Sequence, residues 1–389
     1  MMQPLEGVKV LDLTHMLAGP TCTNMLALLG AEVVKIERPG SGDLYRRYSG
    51  LPDMNVPFAA ANTGKKSVAL NLRDPQARTA IHALIARSDL LVENFRPGAL
   101  KKLALDWDSV RTVNPRLVYC SISGFGHTGP LVERGGLDQI LQAMSGMMWL
   151  SGEPGDGPVK VGFPIADVFT GYMSVIGILA ALRRRDARGV GEFVDVAMLD
   201  CTLKLMGKEI ADYIDTGEPT QRTGNRGYRL VATSDTYCTR DGYLTLGANQ
   251  QEAFQALCRV LGCEELVRDP RFADYDSRVS NSDALRAILT AHLRDCAALE
   301  LETQLSAAGV PAAMVRTLGD VIAEPHVASR GLLRQTDVPG HGKPVSVVGA
   351  PFRLEGGVLD VGRVPTLGEH TGEVLQSLGF DQAAIDRLT

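Results

Sequence analysis

The 389-residue sequence lacks most of the short signatures by which enzymes and binding proteins announce themselves. Its seven cysteines (Cys22, Cys120, Cys201, Cys238, Cys258, Cys263 and Cys296) are scattered, odd in number and without a CxxC. That argues against a disulfide framework and against a structural zinc site. The seven histidines form no HExxH or other ligand spacing, so no metal is expected. No stretch reaches about eighteen apolar residues without a charge, which argues against a membrane span. The longest apolar stretch, Ile176 to Leu182, runs directly into Arg183, Arg184 and Arg185. The N-terminal MMQPLEGVKVLDLT has neither the basic start nor the long apolar core of a secretory signal. A basic excess is also missing: 40 Lys and Arg against 45 Asp and Glu give a net charge of −5, which disfavours a nucleic-acid partner. The expectation is a reduced, cytoplasmic, metal-free protein with neither a membrane nor a nucleic acid as partner.

What is present is an ordinary core-forming composition, 45% hydrophobic and 22% charged. At roughly 150 residues per domain, the length predicts two or three domains. The apolar run Val8–Leu13 reads as a buried parallel strand, Thr21–Leu29 as a helix stopped by Gly30, and Glu32–Ile36 as a second strand. Ser67–Leu72, Leu90–Glu93, Leu117–Ser121 and Glu192–Ala197 continue as strands. Helices are expected at Pro75–Arg87, Asp138–Met148 and about Val168–Arg185, the last closed by the Gly189-Val190-Gly191 turn. Strands alternating with helices give an α/β fold with a parallel sheet covered on both faces. The texture changes after Gly217. A polar linker at 218–229 leads to a smaller α+β domain over 230–328, with a hairpin across Ala232–Gly247 and three helices. Residues 329–389 return to complete the large domain begun by 1–217.

The first βα turn, THMLAGPTCTNM, carries one glycine where a dinucleotide fingerprint needs three, and there is no GxxxxGK[ST]. Cations nevertheless gather after strands: Arg38, Arg73 and the segment Asn94-Phe95-Arg96-Pro97-Gly98. Ligands of open α/β sheets bind beyond the carboxyl ends of the strands, where such charges would suit a phosphorylated ligand.

Several of these loop sequences, taken together, carry a resemblance. PLEGVKVLDLTHMLAGP…LLGAEVVKIERPGSGD, LVENFRPGAL, NPRLVYCSISGFGHTGP, IADVFTGYMSVIGILAALRRRDARGVGEFVDVAMLD and GAPFRL…PTLGEHTGEVL occur in order over nearly the whole chain. The sequence thereby resembles the class III CoA-transferases, the family of formyl-CoA and crotonobetainyl-CoA transferases. The resemblance implies a Rossmann-like large domain built from N- and C-terminal segments, a small middle domain, and an interlocked, ring-like homodimer. It implies coenzyme A, as acyl-CoA, and a small carboxylic acid as substrates, with no permanently bound cofactor.

In this family one aspartate accepts the acyl group, and Asp167 in GFPIADVFTGYM matches it. Directly before the long helix expected from Val168, Asp167 would occupy an N-cap, where backbone N–H groups favour a carboxylate. The CoA contacts implied are Arg38, Leu70, Asn71, Leu72, Arg73, Asn94, Arg96 and Lys102. Arg38 and Lys102 would meet phosphates, and Leu70–Arg73 would flank the adenine. Leu17 stands where formyl-CoA transferases carry a glutamine, which implies a less polar acyl pocket. His15, two residues earlier, is a candidate substrate contact or a packing residue at a strand end. Gly224-Asn225-Arg226-Gly227 is the nearest match to a glycine-rich loop that closes over the site in relatives.

The same family includes 2-methylacyl-CoA racemases, which pair the aspartate with a histidine just before an acidic residue. Here that segment reads Gly136-Leu137-Asp138, and Leu137 cannot accept a proton. Asp138 remains as an acidic pocket position or as the N-cap of the following helix. The activity expected is CoA transfer from an acyl-CoA, with succinyl-CoA as the default donor, to a dicarboxylate, a hydroxy acid or a sulfur-containing acid. The alternatives are a racemase and a non-catalytic CoA-binding protein.

Overall fold

The computed structural model describes residues 3–47, 56–355, 357 and 359–388. Among these the chain divides into two compact units, one of residues 1–147, 160–216 and 326–389, the other of 148–159 and 217–325. Residues 148–159, which the sequence reading placed within 1–217, thus cluster with the second unit.

The first unit is built on a parallel six-stranded sheet in the order β3-β2-β1-β4-β5-β6. Its strands are β1 (Lys9–Asp12), β2 (Glu32–Glu37), β3 (Lys66–Ala69), β4 (Leu90–Glu93), β5 (Val118–Ser123) and β6 (Glu192–Ala197). β4 and β5 are buried at every position, as strands covered on both faces must be. One face packs Leu26, Phe58, Val92, Cys120 and Ile178, and the other packs Leu11, Ile81, Ile85, Leu91 and Tyr119. The 3-2-1-4-5-6 order reverses direction between β1 and β4. A crevice for ligands opens at the strand ends beside that reversal.

Four helices position the functional side chains. They are α1 (Ala18–Leu28), α2 (Pro75–Arg87), α3 (Asp138–Met144) and α4 (Ile165–Arg188). The sequence reading ran α3 on to Met148, but Gly146 at φ 89° breaks the helix and a separate turn covers Met147–Leu150. It also started α4 three residues late. The 24-residue α4 is long and apolar enough by composition to cross a membrane. Part of that apolar content, Val175, Ile178, Ala181 and Leu182 among it, packs against α1, β5 and β6, while Tyr172, Ile176 and Leu179 are exposed. At Gly171 an added Cβ would lie 2.8 Å from the carbonyl oxygen of Ala18, so only glycine allows α4 to approach the start of α1 this closely.

The C-terminal segment returns to β3, as the domain plan required. Ala69 N donates to Thr371 Oγ1 (2.9 Å), Gly368 N to Ser67 Oγ (2.9 Å) and His370 N to Ser67 O (2.9 Å). These bonds cover the outer edge of the sheet, which would otherwise expose unpaired backbone. Two elements of this segment escaped the sequence reading: Leu333–Thr336, which pairs antiparallel with Val345–Val348, and the helix Gln382–Leu388.

The second unit carries a three-stranded antiparallel sheet, β7 (Thr236–Cys238), β8 (Tyr243–Leu246) and β9 (Ala312–Met314). Its helices Gln251–Leu261, Ser282–Leu293 and Ala298–Ala307 close a separate core around Phe254, Leu257, Leu289 and Leu305.

Candidate active site

The loop leaving β1 is fixed by buried charges. Asp12 accepts from Thr14 N (2.8 Å), Thr14 Oγ1 (2.6 Å) and Thr23 Oγ1 (2.7 Å), and pairs with Lys65 at 3.1 Å. Lys35 Nζ donates to Thr14 O at 2.7 Å and lies 3.0 Å from Asp43. Asp43 Oδ1 in turn accepts from Met16 N at 3.0 Å. Burial alone would raise the pKa of Asp12, but Lys65 and Lys35 with the two threonine hydroxyls pull it down to about 2. Burial pushes Lys65 down to about 8, against the pull of Asp12. Between these anchors Met16 takes a left-handed conformation, φ 63°, that a side chain adopts only when its surroundings enforce it.

Asn94 supplies the rest of that enforcement. Its Oδ1 accepts from His15 N (2.9 Å) and its Nδ2 donates to His15 O (2.8 Å), tying the end of β4 to the end of β1 at the reversal point. The His15 ring packs on Phe95 with centroids 5.2 Å apart. Burial lowers the His15 pKa, which favours the neutral ring.

Beside this loop a cleft of about 610 Å³ opens over the ends of β1, β2 and β3. It gathers seven of the residues singled out from the sequence: His15, Arg38, Leu70, Asn71, Leu72, Arg73 and Lys102. Glu37 and Asp43 also line it, but Arg46 grips Glu37 at 2.7 Å and Lys35 neutralises Asp43. Arg38, Arg73 and Lys102 have no carboxylate partner among the described residues. The cleft is therefore a half-open, net positive surface with an apolar floor at Leu70 and Leu72, the combination that phosphates and a purine ring require.

The other singled-out residues sit elsewhere. Asn94 lies behind the cleft as the His15 clamp. Arg96 lines a separate depression with Glu93, Trp107 and His127, and its guanidinium lies against Gly135. Leu17 is half-buried ahead of α1, and Leu137 is 67% exposed.

Asp167 is the third residue of α4, behind Pro164, rather than its N-cap. The cap is provided from another helix. Asp138 Oδ1 accepts from Ala166 N (2.8 Å) and Asp167 N (3.3 Å), and Gln142 Nε2 donates to Asp138 Oδ2 at 2.7 Å. Gln142 is fully buried and also accepts from Val161 N (2.9 Å), so its carboxamide aligns Asp138. Sequence reasoning missed Gln142, whose signal was only its i+4 spacing from Asp138. A second close approach sets the loop ahead of α3: a Cβ on Gly136 would fall 2.6 Å from Gly124 Cα.

The Asp167 carboxylate itself takes no hydrogen bond or ion pair among the described residues. Burial, and then the charge of Asp138, push its pKa up to about 7. Asp167 lies one helical turn before Gly171, on the same face of α4. That face meets the start of α1, immediately after the Met16 loop. An unpaired carboxylate in the first turn of α4 and a cationic cleft over the strand ends of a Rossmann-type sheet are the parts that acyl chemistry on a phosphate-bearing carrier needs.

The family model described as CoA-transferase family III matches residues 5–371. The chain belongs to this family. As a class III CoA-transferase it moves CoA between an acyl-CoA and a carboxylic acid. Over 392 residues the CoA-transferase is 35% identical to mouse succinyl-CoA:glutarate CoA-transferase, covering 100% of this chain and 89% of the mouse protein. It is 35% identical over 399 residues to the succinyl-CoA:mesaconate CoA-transferase of Haloarcula marismortui, covering 98% of each. The fold of the CoA-transferase is similar to the crystal structure of a CAIB/BAIF family protein from Brucella suis, with TM-score 0.88, 36% identity and coverage of 97% of this chain and 100% of that one.

Proposed function

We propose that this CoA-transferase takes CoA from succinyl-CoA and gives it to a second small dicarboxylic acid, with Asp167 as the covalent acyl acceptor. The observation that carries the reading is the half-buried, unpaired Asp167 carboxylate in the first turn of α4. Two relatives at 35% identity are named for succinyl-CoA with glutarate and with mesaconate, which supports the donor and the acceptor class.

Asp167 attacks the thioester carbonyl, and CoA leaves as its thiolate, giving a mixed anhydride. The thiolate attacks the Asp167 carbonyl, releasing succinate and leaving an aspartyl-CoA thioester. The acceptor carboxylate attacks that thioester, the thiolate leaves, and thiolate attack on the acceptor half of the new anhydride releases acceptor-CoA and restores the Asp167 carboxylate. Overall one CoA thioester is exchanged for another with no change of oxidation state, and the higher-energy anhydrides form only transiently. Arg38, Arg73 and Lys102 hold the phosphates of CoA, and Leu70 and Leu72 contact the adenine. The Asp167 carboxylate must be ionised to attack. With its pKa pushed up to about 7, the rate of acyl-enzyme formation falls as pH drops through that value.

The enzyme is proposed to act as a homodimer. Tyr172, Ile176 and Leu179 form an exposed apolar stripe at helical spacing on α4, which a second copy would cover. Sedimentation velocity reads this directly: a species of one chain's mass at micromolar concentration would overturn it.

The covalent step is tested by mixing enzyme with succinyl-CoA, quenching with hydroxylamine and mapping peptides by mass. A hydroxamate on Asp167 is the expected result. An unmodified Asp167 during measurable turnover would overturn the assignment.

A further inference from the structure

Glu93, the last residue of β4, is a carboxylate that the transfer chemistry does not use. Only 4% of it is exposed, yet it forms no ion pair among the described residues. Two hydrogen bonds hold it. Its Oε2 accepts from Phe95 N at 2.8 Å, which closes a tight turn after the strand. Ser121, opposite Glu93 in the β4–β5 register, hydrogen-bonds to the carboxylate, and its Oγ lies 2.7 Å from His127 Nε2. A hydroxyl has one proton, so while Ser121 donates to Glu93 it accepts from His127. The half-buried His127 lines a depression of about 290 Å³, and Glu93 lies at the same depression.

The turn carries two parts of the larger cleft. Asn94 clamps both backbone groups of His15, and the Phe95 ring packs on His15 and lines the cleft. An ionised acceptor holds an N–H more strongly than a neutral one, so the charge on Glu93 decides how firmly the turn is shut. Burial pushes the Glu93 pKa up to about 7, and the charge of Asp195 on β6 adds to this, while Ser121 and Phe95 N oppose it. The Tyr119 phenol on β5 is bonded to Leu105 O. Around the depression stand Arg96, whose guanidinium lies against Gly135, and Lys101. Asp106 and Asp108 are there too, engaged by Ser109 and Arg111.

We propose that Glu93 is a positioning residue for CoA: its ionised carboxylate holds the turn that aims Asn94 at His15 and Phe95 into the cleft. The inference rests on the reading that CoA occupies that cleft. Glu93 itself touches no reacting atom. Protonation gives Phe95 N a neutral acceptor in place of a charged one, loosens the turn and weakens CoA binding.

The test is CoA affinity, read by calorimetry between about pH 6 and 8 in an Asp167→Asn background, where Asp167 no longer titrates. Glu93→Gln keeps an acceptor for Phe95 N and the shape of the side chain, without the charge. It is expected to weaken CoA binding about fivefold near pH 8 and less than about twofold near pH 6, where most of Glu93 is protonated. Titration of the CoA phosphates and of His15 is common to both proteins and cancels in the ratio. An effect of equal size at both pH values is that of a merely structural residue and overturns the inference, as does no effect at either. Should Glu93→Gln misfold, Ser121→Ala decides. It removes a bond that favours the carboxylate, so the fall in affinity should begin about half a unit higher in pH, and an unmoved curve overturns the inference. Arg38→Ala separates the two readings. Unchanged CoA affinity in that variant removes CoA from the cleft and this inference with it. Weakened affinity there, with no pH-dependent effect of Glu93→Gln, overturns the Glu93 role alone.

Discussion

On one side of the β1–β4 reversal every charge is paired and out of water. Asp12, Lys35, Asp43 and Lys65 are buried and answered by one another and by neighbouring hydroxyls and carbonyls. A few residues away, Arg38, Arg73 and Lys102 stand exposed and unanswered, and Asp167 is half-buried without a partner. The two regions use the same residue types for opposite ends. Paired charges fix the geometry of the Met16 loop. Unpaired charges keep their free energy for a ligand or a reaction.

Predictions follow from disturbing each side. The largest effect falls on the lone carboxylate: Asp167→Asn should lower kcat by about 10⁴-fold, the scale of losing a covalent nucleophile, with CoA binding retained. Steady-state turnover combined with calorimetric CoA binding reads both halves, and a mutant within tenfold of wild type would remove Asp167 from the chemistry. Next comes the paired side. Lys65→Met leaves Asp12 buried with one cation fewer and should cost about 3–5 kcal/mol of stability, seen as a large fall in denaturant midpoint.

The cationic rim responds more mildly. Arg38→Ala should raise KM for acyl-CoA about tenfold with kcat unchanged, and the difference should shrink as salt is added. A fall in kcat with KM unchanged would place Arg38 outside the CoA site.

The smallest effect joins the two regions. Asp138 raises the Asp167 pKa through its charge. Asp138→Asn keeps an acceptor for Ala166 N but removes that charge, so the Asp167 pKa drops. The acid limb of the pH–rate profile should then move to lower pH, by about half a unit. Purely structural capping would leave the limb where it was.

The sequence carried the sheet well. β4, β6 and α2 begin and end where the apolar runs and their Pro or Gly boundaries place them. The order of the strands was not legible, since register and neighbour depend on contacts between distant segments. The start of α4 was misplaced for a related reason: Asp167 has the composition of an N-cap, but the capping carboxylate comes from Asp138, on another helix. His15, Arg38, Leu70, Asn71, Leu72 and Arg73 share the cleft because each follows a strand end, and Lys102 joins them from the helical turn Leu100–Leu103. Asn94 follows one too, yet its amide is spent on the His15 backbone. A conformation such as that of Met16 leaves no compositional trace at all.

The bonds from residues 368–371 to β3 have a consequence for synthesis. The chain emerges N-terminus first, so β1 through β6 leave the ribosome well before the segment that seals the sheet. Throughout translation of the second unit, β3 presents an unshielded backbone edge to its surroundings. Nascent chains stalled before residue 368 should therefore recruit chaperones or pair with one another, and release of the last few dozen residues should end both.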